Sequence, residues 1–210
     1  CMIKLLSKKG ILIIEIQYLL NTIKDLTFDN IYHEHYNYWS LTSLQYFFNN
    51  LDNDLFIFDA EKIDTHGGSI RVYLAKNKKQ KIRKNVKELI KIEDRFGIKN
   101  YKTYLNFSKK VEKIKENILN NFLKIKKTNI PIIGYGAPAK ATTLLNFLGI
   151  SEDIDFIVED NDLKKGKFIP GVNIPIKGKK SVKDKNNHMI VLAWNFFKEI
   201  KKNNKNISNK

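Results

Sequence analysis

At 210 residues the chain can form one large or two small domains whose core needs no staples. Its single cysteine excludes a disulfide framework and a cysteine-based zinc site within this stretch. The net charge of +16 rests on lysine, because arginine occurs only at Arg71, Arg83 and Arg95; with the bidentate fork that reads phosphate and guanine so scarce, the basic balance describes a solvated surface and no nucleic-acid partner is expected.

No apolar run reaches the roughly 18 residues that a membrane span requires, so no membrane partner is expected, and the scarcity of cysteine fits a reducing cytoplasm. The chain opens Cys1-Met2, and Ile3 to Gly10 reads like the last turn of a helix stopped by glycine, which predicts a sequence cut from something longer.

Ile11 to Ile16 is a continuous apolar run of the kind buried on both faces of a sheet. Behind it, Phe28 to Tyr36 gathers two imidazoles, a carboxylate and two phenols within nine residues. Ser40 or Thr42 can cap a short helix on which Leu41, Leu44, Phe47 and Phe48 share a face. Asp54 to Ile63 and Ser69 to Leu74 read as two strands of a long hairpin joined through His66-Gly67-Gly68. In residues 1–76 this order of buried strand, helix and terminal antiparallel pair resembles the second half of a class I methyltransferase sheet. Residues 77–128 turn helical and lysine-rich, with Phe107, Val111, Ile114, Ile118, Phe122 and Ile125 on one packing stripe.

From residue 129 to 210, strand, turn and helix alternate. Ile130 to Ile133 leads into Gly134-Tyr135-Gly136, Ile154 to Val158 leads into Glu159, and Met189 to Leu192 leads into Trp194-Asn195. That pattern predicts a small Rossmann-like parallel sheet with ligands at the carboxyl ends of its strands, and a polar tail that frays after Lys201. The whole is an α/β chain: half a methyltransferase sheet, a helical connector and a Rossmann-like C-terminal domain.

The chemistry concentrates in four clusters. Tyr32, His33, Glu34 and His35 offer a proton acceptor at neutral pH with groups to orient it; in an extended loop the two histidines would face one way and Glu34 the other. A metal held by His33, Glu34 and His35 lacks a third strong ligand, and an aromatic packing loop is the plainer reading. His66 and Arg71 flank glycines that permit positive φ and close approach of a ligand. Gly134 to Lys140 opens a helix behind a strand, where N–H groups can meet a phosphate and Lys140 can supply counter-charge; Glu159, 25 residues after Gly134, stands near the ribose-binding acid of a dinucleotide fold, so NAD is a second candidate ligand. Asn195 closes the last strand.

In order and spacing these stretches resemble the sugar C-methyltransferase family, which methylates C3 of nucleotide-linked 4-keto-deoxysugars with S-adenosylmethionine. The matches are Phe28-Asp29, Ile31 to His35 and Tyr38, His66 to Ser69 with Arg71, Gly134 to Ala137 with Lys140, Leu144-Leu145-Asn146, Lys164 and Gly166 with Pro170-Gly171, Ile174-Pro175-Ile176, and Ala193 to Phe196. The resemblance implies that His35 is the base, that Tyr32 and Glu34 position it and the sugar, and that the region from Gly134 to Lys140 helps hold the nucleotide diphosphate. It leaves open from the residues alone whether His33 or His35 faces the sugar. Family members also carry an N-terminal zinc-binding piece and a glycine-rich half-domain for S-adenosylmethionine, neither of which lies in this stretch. The loop Glu159 to Leu163 departs from the family's more usual Asp-Arg-Asn-Pro. The rival reading is a non-catalytic nucleotide-binding or NAD-binding module.

Overall fold

A computed structural model describes residues 2–51, 55–64, 67–76, 80–205 and 207. The chain divides into two compact units, Cys1–Phe28 with Tyr36–Lys110, and Asp29–His35 with Val111–Lys210. Among the described residues no helix is long and apolar enough to cross a membrane.

In the first unit a short helix α1 (Met2–Leu5) precedes strand β1 (Ile11–Gln17), followed by α2 (Leu19–Lys24), a single 3-10 turn at Phe28–Asn30 whose last two residues belong to the second unit, and α3 (Leu41–Asn50). The hairpin strands β2 (Phe56–Ile63) and β3 (Ser69–Ala75) come next. The sheet is antiparallel throughout in the order β1-β3-β2, with Val72 opposite both Ile14 and Ala60. Gly67 and Gly68 take φ values of 84° and 107°, the left-handed freedom their position between the strands calls for; His66 lies outside the described residues, as does Asp54 at the expected start of β2.

Burial on both faces of β1 does not hold. Leu12, Ile14 and Ile16 pack on the core, while Ile11 and Ile13 are 52% and 56% exposed. The strand is at the sheet edge, and the residues that cover it, from Leu20 and Leu44 to Val86 and Leu89, gather on one side. Phe47 likewise leaves the apolar face of α3, at 41% exposed, whereas Leu41, Leu44 and Phe48 are buried.

Helix α4 (Lys84–Phe96) belongs to this unit and buries Val86 and Leu89 in its core. Gly97 in the left-handed conformation stops it. Its Glu93 is fully buried and fully engaged: the carboxylate accepts the Tyr18 O–H (2.8 Å) and the N–H groups of Leu41 (2.6 Å) and Thr42 (2.8 Å). The last two are first-turn donors of α3, which helical geometry leaves without partners, and the anion also complements the positive end of that helix. Ser40 caps the same turn through a reciprocal bond with Ser43. Burial, with the adjacent Glu93 charge, pushes the Tyr18 phenol far above its ordinary range.

Helix α5 (Tyr101–Lys126) carries the expected stripe. Phe107 packs on the core of the first unit, and Ile118, Phe122 and Ile125 on that of the second. In the second unit β4 (Ile132–Tyr135), α6 (Ala139–Leu148), β5 (Ile157–Val158), β6 (Ile176–Lys177), β7 (His188–Val191) and α7 (Phe197–Asn203) follow. The four strands form a parallel sheet in the order β6-β5-β4-β7, one strand more than the apolar runs predict. Because β4 lies in the middle, Ile132, Ile133, Gly134 and Tyr135 are all buried. Side chains of Leu145, Ile157 and Leu192, each at most 1% exposed, fill the layer between sheet and helices; burial of this kind stabilises by about 1.5–3 kcal/mol per large aliphatic side chain. The tail does not fray at Lys201. Helix α7 runs to Asn203, Ile207 is buried with Ile133, Tyr135 and Val158, and its carbonyl accepts from Asn187 Nδ2 at 2.8 Å.

Candidate active site

The second unit places three segments at the carboxyl end of its parallel sheet: the turn after β4, the start of α6, and Trp194-Asn195 after β7. Gly136 has φ 84°, and a Cβ there would come within 2.8 Å of the Ala193 Cβ, so only glycine lets these two segments approach so closely. Gly134 lies inside β4, where a Cβ would press on Ile157 at 2.8 Å.

The segment Asp29–His35 belongs to this unit and is a turn rather than an extended loop. The His35 N–H bonds back to the Tyr32 carbonyl at 2.9 Å, so the alternating outlook of His33, Glu34 and His35 is lost. Tyr32 stacks at a tilt on His35, with ring centroids 4.4 Å apart. His33 and Glu34 are largely exposed, with His33 Nε2 3.9 Å from Glu34 Oε1.

His35 Nδ1 lies 2.8 Å from the Asn30 carbonyl oxygen. A carbonyl can only accept, so Nδ1 carries the hydrogen and the lone pair of the neutral ring resides on Nε2. Among the described residues no group of three His, Cys, Asp or Glu side chains is arranged to hold a metal ion.

Beneath this turn lies a cluster that the sequence does not announce. The buried Asp29 carboxylate accepts the Trp194 indole N–H at 2.6 Å, and the Lys140 ammonium stands 3.8 Å from the same oxygen. Lys140 also donates to Asn195 Oδ1 at 2.6 Å and sits 3.9 Å from the centroid of the Trp194 ring. Burial holds the Lys140 amine below its ordinary pKa, and Asp29 partly offsets this. Thr143, one turn along α6, donates to the Ile31 carbonyl at 2.8 Å. A residue-type pattern could not reveal this grouping, since Asp29 and Trp194 are 165 positions apart.

Glu159 turns inward. Its carboxylate accepts the N–H groups of Ala137 (2.8 Å), Asp160 (2.9 Å) and Asn161 (3.0 Å), so the glycine turn receives its anion from the chain itself. Beside it opens a cavity of about 410 Å³ lined by Tyr135, Ala137, Lys164, Lys179, Phe196 and Asn204, among others. Tyr135 donates to Asp160 Oδ2 at 2.7 Å, and Lys179 meets Asp160 Oδ1 at 3.0 Å. Burial pushes the Tyr135 phenol up, a shift the Asp160 hydrogen bond reinforces and Lys179 opposes. Burial alone would raise Asp160, yet the Tyr135 and Lys179 contacts bring it below its ordinary value.

In the first unit, Arg71 donates from Nη2 and Nε to one Glu15 oxygen, Oε2 (2.8 and 3.1 Å), and from Nη1 to Glu61 at 3.2 Å, across three neighbouring strands. The structure thus brings Tyr32, His33, Glu34, His35, Lys140 and Asn195 together with Gly134, Gly136 and Glu159 in the second unit, and puts Arg71 on the first sheet.

Residues 64–210 match the family model described as the C-methyltransferase C-terminal domain. The chain is also 33% identical over 204 residues to C-methyltransferase NovU of Streptomyces niveus, an alignment covering 96% of this chain and 48% of that protein. It therefore spans about half the length of that curated relative. With the family model covering well over half of its residues, the chain belongs to the C-methyltransferase family, whose C-terminal domain it contains.

Proposed function

We propose that this chain is the substrate-handling part of an S-adenosylmethionine-dependent C-methyltransferase acting on a nucleotide-linked 4-keto-deoxysugar, with His35 as the base that removes the C3 proton. The observation that carries the reading is the bond from His35 Nδ1–H to the Asn30 carbonyl. It sets the tautomer whose Nε2 accepts a proton and offers the resulting imidazolium an oxygen to lean on. The proton passes from C3 to Nε2 while its electron pair moves into the C3–C4 bond and the ketone becomes an enolate. Tyr32, stacked on the ring, holds its plane. His33 and Glu34, exposed beside it, are the groups we assign to contact the sugar.

The parallel sheet of the second unit, with α6 directly after the β4 turn, supports a Rossmann-like reading, and the 410 Å³ cavity at its carboxyl end is the proposed seat of the nucleotide. The β1-β3-β2 order supports reading the first unit as the closing half of a class I methyltransferase sheet. S-adenosylmethionine is the methyl donor the family implies, but the residues described here do not form its cradle. The turn after β1 reads Tyr18-Leu19-Leu20, without glycine, and Tyr18 is buried against Glu93. Membership in an enzyme family does not favour the non-catalytic module.

The test is exchange of the sugar's C3 hydrogen with deuterated solvent, followed together with methyl transfer. We expect His35→Ala to lose at least about 100-fold in both, the usual share of a positioned base, and His33→Ala to raise KM for the sugar while the exchange step itself persists. Full activity in His35→Ala would refute the assignment.

A further inference from the structure

Three consecutive residues ahead of the catalytic turn each hold something different. The Asp29 carboxylate takes the Trp194 indole N–H, the Asn30 carbonyl takes His35 Nδ1–H, and the Ile31 carbonyl takes the Thr143 hydroxyl. Asn30 is therefore clamped on both sides by contacts to α6 and to the segment after β7, and its carbonyl orients the imidazole. The Asp29 side chain is 5% exposed and that of Lys140 12% exposed, so both charges are largely out of water and each is the other's nearest compensation. Trp194 serves both at once, with its N–H on the carboxylate and its face toward the ammonium. Lys140, directed at Asn195 Oδ1 and at Asp29, is employed inside the fold rather than as a counter-charge for a phosphate.

We infer that Asp29 is a positioning residue: latched by Trp194 and Lys140, it fixes the Asn30 carbonyl and so holds His35 in one orientation and one tautomer on the nucleotide-binding unit. The inference rests on the reading of His35 as the base. Its consequence is that the base is carried by the same unit that carries the cavity.

The latch can be tested on the chain itself by nitrogen-15 NMR of the His35 ring and of the Trp194 indole N–H, alongside kinetics. In wild type the His35 signals should show hydrogen on Nδ1. In Asp29→Ala and in Trp194→Phe, which keeps an aromatic face for Lys140 but removes the N–H, they should average toward a mixture of tautomers. The amides of Asn30 to His35 should exchange at least about tenfold faster, as a locally opened segment does. Exchange of the nucleotide sugar's C3 hydrogen with deuterated solvent, which needs no methyl donor, should slow by about 100-fold with the half-saturating sugar concentration within about threefold, the signature of misplaced chemistry rather than lost binding. Asp29→Glu should recover part of the exchange rate and of the single-tautomer spectrum.

An unchanged His35 spectrum with unchanged amide exchange in both variants would overturn the latch, whatever the kinetics. Should Asp29→Ala fail to fold, Trp194→Phe decides alone. A fully active His35→Ala would remove the base assignment while leaving the spectroscopic test of the latch intact, so the two failures are distinguishable.

Discussion

Asp160 shows how a single residue's chemistry at the cavity can be read from outside. Its carboxylate joins the Tyr135 hydroxyl and the Lys179 ammonium, and these contacts bring its pKa below the ordinary 3.8 despite partial burial. A depressed folded-state pKa means that the unfolded chain binds the proton more readily. The stability due to these contacts is therefore complete above about pH 3.8 and is lost as pH falls through the lower folded value. Asp160→Asn should lower the urea midpoint near neutral pH, and the gap to wild type should narrow as pH falls below the ordinary 3.8 and through the lower folded value. A gap independent of pH would mean that shape rather than charge is what Asp160 contributes. At the same scale, Glu159 illustrates why residue type alone misleads. An acid at the end of a strand can bind ribose, but this one satisfies three backbone N–H groups of its own loop.

Among the elements, the pairing of α3 with α4 depends on one buried charge. Glu93 on α4 caps α3 by accepting from Leu41 and Thr42 and also takes the Tyr18 hydroxyl that follows β1. Removing it strands four donors, the Tyr18 and Thr42 hydroxyls and the Leu41 and Thr42 N–H groups. Glu93→Ala should cost about 3–5 kcal/mol, the range for breaking a buried charged network, read as a shift in the denaturant midpoint. Glu93→Gln keeps the volume and one acceptor and should cost less. A loss under about 1 kcal/mol in Glu93→Ala would show that water readily replaces the carboxylate. Neither the capping role nor the helix pairing is visible in the sequence, where Glu93 stands among the charges of an amphipathic helix 52 positions from Leu41.

For the whole molecule, the dominant feature is the +16 charge, carried almost entirely by lysine. Several lysines near the proposed site are committed internally: Lys140 to Asp29 and Asn195, Lys164 to the Ala137 carbonyl, Lys179 to Asp160. We therefore predict that duplex DNA binds only in the non-specific range, with a Kd no tighter than about 10⁻⁶ M at physiological salt and a steep salt dependence. Nucleotide-sugar affinity should change far less with salt, because a small ligand releases few counterions. Titrating both ligands at two salt concentrations checks this, and a DNA affinity in the nanomolar range would contradict it.

The sequence by itself determined not α2, β6 or α7 but strands β1 to β5 and β7, the capped helix after Trp39, the glycine-bearing turns and the resemblance to C-methyltransferases. These follow from short-range rules, since apolar periodicity, capping residues and positive φ act within a few positions. Tertiary structure decided what those rules cannot reach. It exposed Ile11 and Ile13 on an edge strand, folded Tyr32 to His35 into a turn, buried Ile207 and bonded its carbonyl to Asn187, and drew Asp29, Lys140 and Trp194 together. Each depends on partners remote in sequence, and a hydrogen bond or ion pair of that kind exists only once the chain has closed the loops between its ends.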